Sequence, residues 1–115
     1  MPLAASGSPR SMSKHFFRTE IDGQKLLVDA GWDRPLGHHY LNIEREDAPE
    51  EDALLYSSLY DRTLYAQGRG RLMAGLTVEE LAAKLTAHGI TPPDGFLAAL
   101  EEDARKNVGN AIRNW

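Results

Sequence analysis

The ten residues from Gly31 to Tyr40 (Gly-Trp-Asp-Arg-Pro-Leu-Gly-His-His-Tyr) place an indole, a guanidinium, two imidazoles and a phenol in one short segment. Trp, Tyr and Arg combine apolar area with directional donors and are enriched among the residues that carry interface binding energy. Trp32, Arg34, His38 and Tyr40 therefore form the candidate interaction set. A purely structural alternative stands beside it: Asp33 and Arg34 interact within a turn, Pro35 fixes the bend, and Trp32 covers a sheet edge. His38 and His39 raise the question of a metal, but neighbouring strand residues point to opposite faces and do not easily reach one ion. A closed zinc site takes about four ligands, and the chain has no cysteine and no HxH or HExxH spacing. His15 and His88 could join only through tertiary proximity. No metal and no cofactor are expected, with His39 hydrogen-bonded at the core edge and His38 exposed.

Two other segments carry charge in a pattern. Tyr60, Arg62, Tyr65, Arg69 and Arg71 interleave aromatic and basic side chains, and Arg62 to Gly75 contains three arginines and no acid. Such a loop could hold phosphates or stack bases. Gly68-Arg69-Gly70-Arg71 lacks the lysine of a phosphate-binding loop, and the chain as a whole carries a net charge of -4. Arg62, Arg69 and Arg71 are therefore kept as nucleic-acid contacts of a disfavoured reading, a solvated loop being the alternative. Between residues 44 and 52 six acids face one arginine, five net negative charges. Glu46, Asp47, Glu50, Glu51 and Asp52 form a candidate acidic surface, either a solvated loop or a face that steers toward a basic partner. Ser57 and Ser58 lie outside any GxSxG elbow, and carboxylates in an exposed loop have nothing to raise their pKa for general acid work. The chain reads as noncatalytic.

The elements that must position these residues follow from period and punctuation. A length of 115 residues suits one domain. Residues 1 to 13, rich in Ser, Ala, Gly and Pro, read as a disordered leader, and 15 to 115 as a single α+β domain. Hydrophobic and charged contents of 42% and 26% are those of an ordinary globular protein. The absence of cysteine excludes disulfides and fits a reducing compartment. No apolar run reaches the roughly 18 residues of a spanning helix, and no secretory signal begins the chain, so a soluble cytoplasmic protein is expected.

Phe16 to Ile21, Asp22-Gly23, then Gln24 to Asp29 spell a two-residue hairpin in which Ile21 pairs Gln24 and Phe17 pairs Val28. Phe17, Thr19, Leu26 and Val28 then share the core face. His39, Leu41 and Ile43 alternate with His38, Tyr40, Asn42 and Glu44 in a third strand. Residues 54 to 60 fit a fourth strand or a short helix, the strand being favoured, and 61 to 75 an irregular connection. Thr77 and Glu80 form a capping box before the stripe Val78, Leu81, Ala82 and Leu85, with Leu76 as staple and Gly89 as terminator. Thr91, Pro92 and Pro93 open a second helix, with Phe96, Leu97, Leu100 and Ala104 buried, and Glu101 to Arg105 and Glu102 to Lys106 paired outside. Residues 111 to 115 form a tail. The expected fold is an antiparallel sheet of three or four strands packed by two consecutive C-terminal helices.

The run GWDRPL, the aromatic-rich strand after it, the acidic loop and the late Asn107-Val108-Gly109-Asn110 resemble a group of small uncharacterised bacterial proteins over most of residues 15 to 115. The resemblance implies a bacterial or mobile-element origin and lends no activity or functional residue. The function expected is a noncatalytic protein-interaction or regulatory module with a protein partner. A narrower alternative is a phage or plasmid counter-defence inhibitor, of anti-CRISPR or anti-restriction type, acting on a nucleic-acid-processing complex. A weak nucleic-acid binder using the Arg62 to Arg71 loop is the remaining one.

Overall fold

The computed structural model of the protein describes residues 12 to 61 and 75 to 115. Asp22 and Gly23 take φ of 51° and 80°, the positive values of a type I′ turn whose twist matches its strands. They join β1 (Met12–Ile21) to β2 (Gln24–Asp33). The register is the expected one, with Ile21 opposite Gln24, Thr19 opposite Leu26 and Phe17 opposite Val28. β3 (His38–Arg45) runs antiparallel to β2, setting Trp32 opposite His39 and Ala30 opposite Leu41. A single helical turn, α1 (Glu50–Ala53), leads into β4 (Leu54–Ser57) and a 3-10 turn over Ser58–Tyr60. The segment from 54 to 60 is thus a strand first and a helical turn after.

α2 (Val78–Ala87) begins with the expected capping box. The Glu80 N–H donates to Thr77 Oγ1 at 3.1 Å, and the Thr77 N–H donates to Glu80 Oε1 at 2.9 Å. It ends at Gly89, φ 75°, with the Ile90 N–H donating to the Leu85 carbonyl at 2.8 Å. α3 (Phe96–Lys106) starts later than expected. A residue preceding proline is kept out of the helical region, so Pro92 cannot enter a first turn; the chain instead bends through Gly95 at φ 88°. On the wet side Glu102, not Glu101, takes Arg105, through Nε at 3.1 Å, and it also takes Lys106 at 2.9 Å. These hydrogen bonds, Arg105 first, push its carboxyl down to about 2.

Among the described residues the sheet has five strands in the order β4-β3-β2-β1-β5, and the fifth, β5 (Asn110–Asn114), lies parallel to β1. It is the segment read as a tail: a short edge strand, mostly exposed, offers no hydrophobic alternation to recognise. β1 also begins at Met12, inside the stretch assigned to the leader, and its Ser13 is buried. The leader up to residue 11, and residues 62 to 74 of the irregular connection, lie outside the described residues.

One face of the sheet supplies Phe17, Leu26, Val28, Ala30, Leu41 and Ile43 to a core completed by Leu76, Leu81, Leu85, Ile90, Phe96 and Leu100. Each such Leu or Phe contributes about 1.5–3 kcal/mol by leaving water. Phe17 and Phe96 meet edge to face at 4.9 Å. Both long helices lie on this side, and alternation puts Lys14, Phe16, Leu27, Asp29, Tyr40 and Asn42 on the other. No helix among the described residues is long and apolar enough to cross a membrane.

Candidate interaction surface

The segment that opens at Gly31 is seated by a close approach of two strands. A Cβ at Gly31 would fall 1.9 Å from the Ser13 carbonyl oxygen, so only glycine leaves β1 where it is. Ser13 is then bonded from two sides. Its Oγ accepts the Trp32 backbone N–H at 2.9 Å, and its carbonyl accepts the Tyr40 hydroxyl at 3.0 Å. Tyr40 Oη also lies 3.4 Å from Asp29 Oδ1. Burial, and then the Asp29 carboxylate, push the phenol pKa up, which keeps Tyr40 a protonated donor.

Trp32 serves the opposite face. Its ring meets His39 at 5.0 Å, and its Nε1–H donates to Asn107 Oδ1 at 3.0 Å. Asn107 caps α3 in the left-handed region at φ 53°, where asparagine is tolerated. The indole thus ties β2 to the end of α3. His39 points inward, as alternation predicts, with Nε2 2.9 Å from the Leu100 carbonyl. A carbonyl only accepts, so Nε2 carries the proton. Burial pulls the His39 pKa down, partly offset by the Leu100 and Leu76 carbonyls.

Arg34 is exposed in the β2–β3 turn. The local turn interaction there does not involve it: Asp33 Oδ1 accepts the Leu36 N–H at 3.2 Å, and the Asp33 carbonyl accepts the Gly37 N–H at 2.8 Å. His38, expected to be exposed, is buried at 5%. The reason is a second close approach, at Gly75, where a Cβ would lie 2.0 Å from His38 Cγ. With no side chain there, the returning backbone comes down on the imidazole and pairs Leu76 with His39. His38 borders two cavities. One, of about 410 Å³, lies among Trp32, His39, Val78, Glu101 and Ala104; the other, of about 270 Å³, lies among Asp33, Leu36, Tyr40 and Leu59.

A further cluster joins the two chain-distant sides of β1. His15 Nε2 is 2.6 Å from Asp103 Oδ2, and the Trp115 indole N–H donates to His15 Nδ1 at 3.0 Å. An indole N–H only donates, so Nδ1 is bare and Nε2–H faces the carboxylate. An imidazole oriented by a carboxylate is also the arrangement of a general base. Here, however, the far nitrogen is occupied by Trp115. Asp103, Asn107 and Trp115 were not identifiable as partners from spacing; the one sequence signal was a tryptophan in the tail.

Glu46, Asp47, Glu50, Glu51 and Asp52 are all exposed, in the β3–α1 turn and on α1. Glu46 accepts from Arg18 Nε at 2.9 Å, and Arg45 donates to the Asp52 carbonyl at 2.9 Å. Arg62, Tyr65, Arg69 and Arg71 lie outside the described residues. Comparison with protein-family models, curated proteins and solved structures finds no match to this chain.

Proposed function

We propose that the chain is a small noncatalytic interaction or regulatory module of bacterial or mobile-element origin, working in the cytoplasm on a protein partner. The observation that carries this reading is the cavity on the sheet face opposite the two long helices, lined by Tyr40 and the exposed Leu36, with Arg34 exposed in the adjoining β2–β3 turn. Rigid aromatic and Arg groups around an apolar hollow are the usual anatomy of an interface hot spot. The noncatalytic part is supported at His15, whose two ring nitrogens are both engaged, Nε2 by Asp103 and Nδ1 by the Trp115 indole N–H.

Of the four residues first singled out, Trp32 is a fastener of β2 to α3, so contact is assigned to Arg34 and Tyr40, with His38 behind them. Arg34→Glu, which touches no described hydrogen bond, is expected to weaken partner capture at least tenfold in a quantitative pull-down with unchanged circular dichroism. Full retention of every partner by a folded Arg34→Glu, Leu36→Ala double variant sinks the surface. The counter-defence reading is favoured by one observation, the contiguous exposure of the five acids. Reversing Glu50, Glu51 and Asp52 to lysine is then expected to abolish inhibition of the target complex. Unchanged behaviour at low and physiological salt excludes it.

A further inference from the structure

We propose that the cavity of about 270 Å³ on the open sheet face receives one cationic side chain, an arginine or lysine, from the partner protein; this rests on the interaction-module reading above. The size is the first argument. Sites for whole small-molecule ligands run to about 300–1,000 Å³, and this hollow falls just short of that range, as a receptor for a single side chain should. Its apolar wall comes from Met12, Leu36 and Leu59, and Leu36 and Leu59 remain 37% and 40% exposed. The aliphatic stem of arginine or lysine covers such surface while its head stays among polar groups.

The polar wall is rich in acceptors. Among the described residues, Asp29 and Asp33 line the cavity against one cation, Lys14. Asp29 is committed, Oδ2 to Lys14 Nζ at 2.6 Å and Oδ1 to the Tyr40 hydroxyl at 3.4 Å. Asp33 uses Oδ1 for the Leu36 N–H, which leaves Oδ2 for an incoming donor. His38 supplies the independent observation. Its Nδ1 lies 3.3 Å from the His39 carbonyl, and since a carbonyl only accepts, Nδ1 carries the proton and Nε2 is a bare acceptor. That Nε2 is buried with no hydrogen-bond partner, a rare condition in folded proteins, and His38 forms part of the cavity wall.

A group that only donates suits this wall, and guanidinium and ammonium are the side-chain heads of that kind that also carry the charge two carboxylates prefer. An anionic ligand would meet Asp29 and Asp33. Arg34, next in sequence, does not line the hollow, and the net charge of -4 draws a basic partner toward the chain as a whole.

The test is a two-dimensional amide NMR titration of the full chain with N-acetyl-arginine methylamide, beside its neutral isostere N-acetyl-citrulline methylamide and the lysine analogue. A fragment of this size is expected to bind with a Kd on the order of 1 mM. Saturable shifts confined to Asp29, Asp33, Leu36, His38 and Asn42, with citrulline at least tenfold weaker, support the assignment. Asp33→Asn keeps an oxygen for the Leu36 N–H and so the turn, and it is expected to weaken the arginine probe about tenfold. Equal binding of citrulline, indifference to Asp33→Asn, or no saturable shift overturns the cation site. Partner capture retained by Asp33→Asn alongside a silent titration overturns the cavity while leaving the module reading intact; loss of capture only in the Arg34→Glu, Leu36→Ala variant separates the two in the same way.

Discussion

Gly31→Ala tests how β1 is held in the sheet. The added Cβ would lie 1.9 Å from the Ser13 carbonyl oxygen and 3.0 Å from the Tyr40 ring. A comfortable carbon-to-oxygen contact is about 3.3 Å, so β1 and β2 must part by roughly 1.4 Å at this point. That movement breaks the Trp32 N–H bond to Ser13 Oγ and the Tyr40 bond to the Ser13 carbonyl. Two hydrogen bonds at about 1 kcal/mol each and about 1–3 kcal/mol of overpacking give roughly 3–5 kcal/mol. Alanine's smaller backbone entropy loss returns about 0.5–1 kcal/mol. The net loss is about 2–4 kcal/mol, a large part of the roughly 5–15 kcal/mol that holds a domain folded. With a urea m-value of about 2 kcal/mol/M, the unfolding midpoint followed by circular dichroism should fall by about 1–2 M. Gly23→Ala is the control: nothing lies within 4 Å of its Cβ, and only its φ of 80° opposes the change, so about 1 kcal/mol is expected. Tyr40→Phe should cost about 1–2 kcal/mol in the native chain and little in Gly31→Ala, where its bond is already lost. A Gly31→Ala midpoint equal to the parent's, or strict additivity of the two substitutions, would refute the reasoning.

Three other perturbations have worked outcomes. Gly75→Ala presses on an imidazole rather than on backbone, so His38→Ala should relieve it, with a coupling of about 0.5–3 kcal/mol in a double-mutant cycle; additive losses would show that the two do not touch. Trp32→Phe keeps an aromatic ring over His39 but loses the Asn107 bond, for about 1 kcal/mol and faster amide exchange at the end of α3; unchanged exchange there would free Trp32 from its fastening role. The lowered pKa of His39 means the unfolded chain takes up a proton before the native one does. Its share of stability is therefore intact above pH 6.5, the ordinary value, and falls as pH drops below it, by at most about 1.4 kcal/mol per pH unit. His39→Gln should flatten the stability profile between about pH 5 and 6.5, and identical slopes in the two proteins would count against a buried neutral imidazole.

What could be read in advance was what depends on local period. The hairpin register, the capping box at Thr77 and the inward turn of His39 all follow from residue spacing, and alternation set His38 and Tyr40 apart from His39, whereas Trp32 was grouped with Tyr40 and lies on His39's side instead. What could not be read depends on backbones meeting from distant parts of the chain. Gly31 and Gly75 are ordinary letters until Ser13 and His38 lie beneath them, so neither the committed hydroxyl of Tyr40 nor the burial of His38 was visible. β5 escaped for the opposite reason: it contributes backbone rather than an apolar face, and Ile112 stays 68% exposed. Pro92-Pro93 looked like a helix start because proline suits a first turn, but two in succession forbid it.

The parallel pairing of β5 with β1 also sets an order of events in time. β1 and β2 are joined through two residues, whereas His15 and Trp115 meet across 100 positions. Closing so long a loop carries an entropy penalty that the hairpin never meets, and such distant contacts slow folding. The four-strand meander should therefore assemble first, with β1 waiting as an unprotected margin until the last strand arrives. Trp32 lies on an early strand, but its indole closes on Asn107 across 75 positions, as Trp115 closes on His15 across 100. In stopped-flow refolding, variants retaining either tryptophan alone should therefore both report the slow phase, the late docking of the C-terminal segment on a sheet already formed.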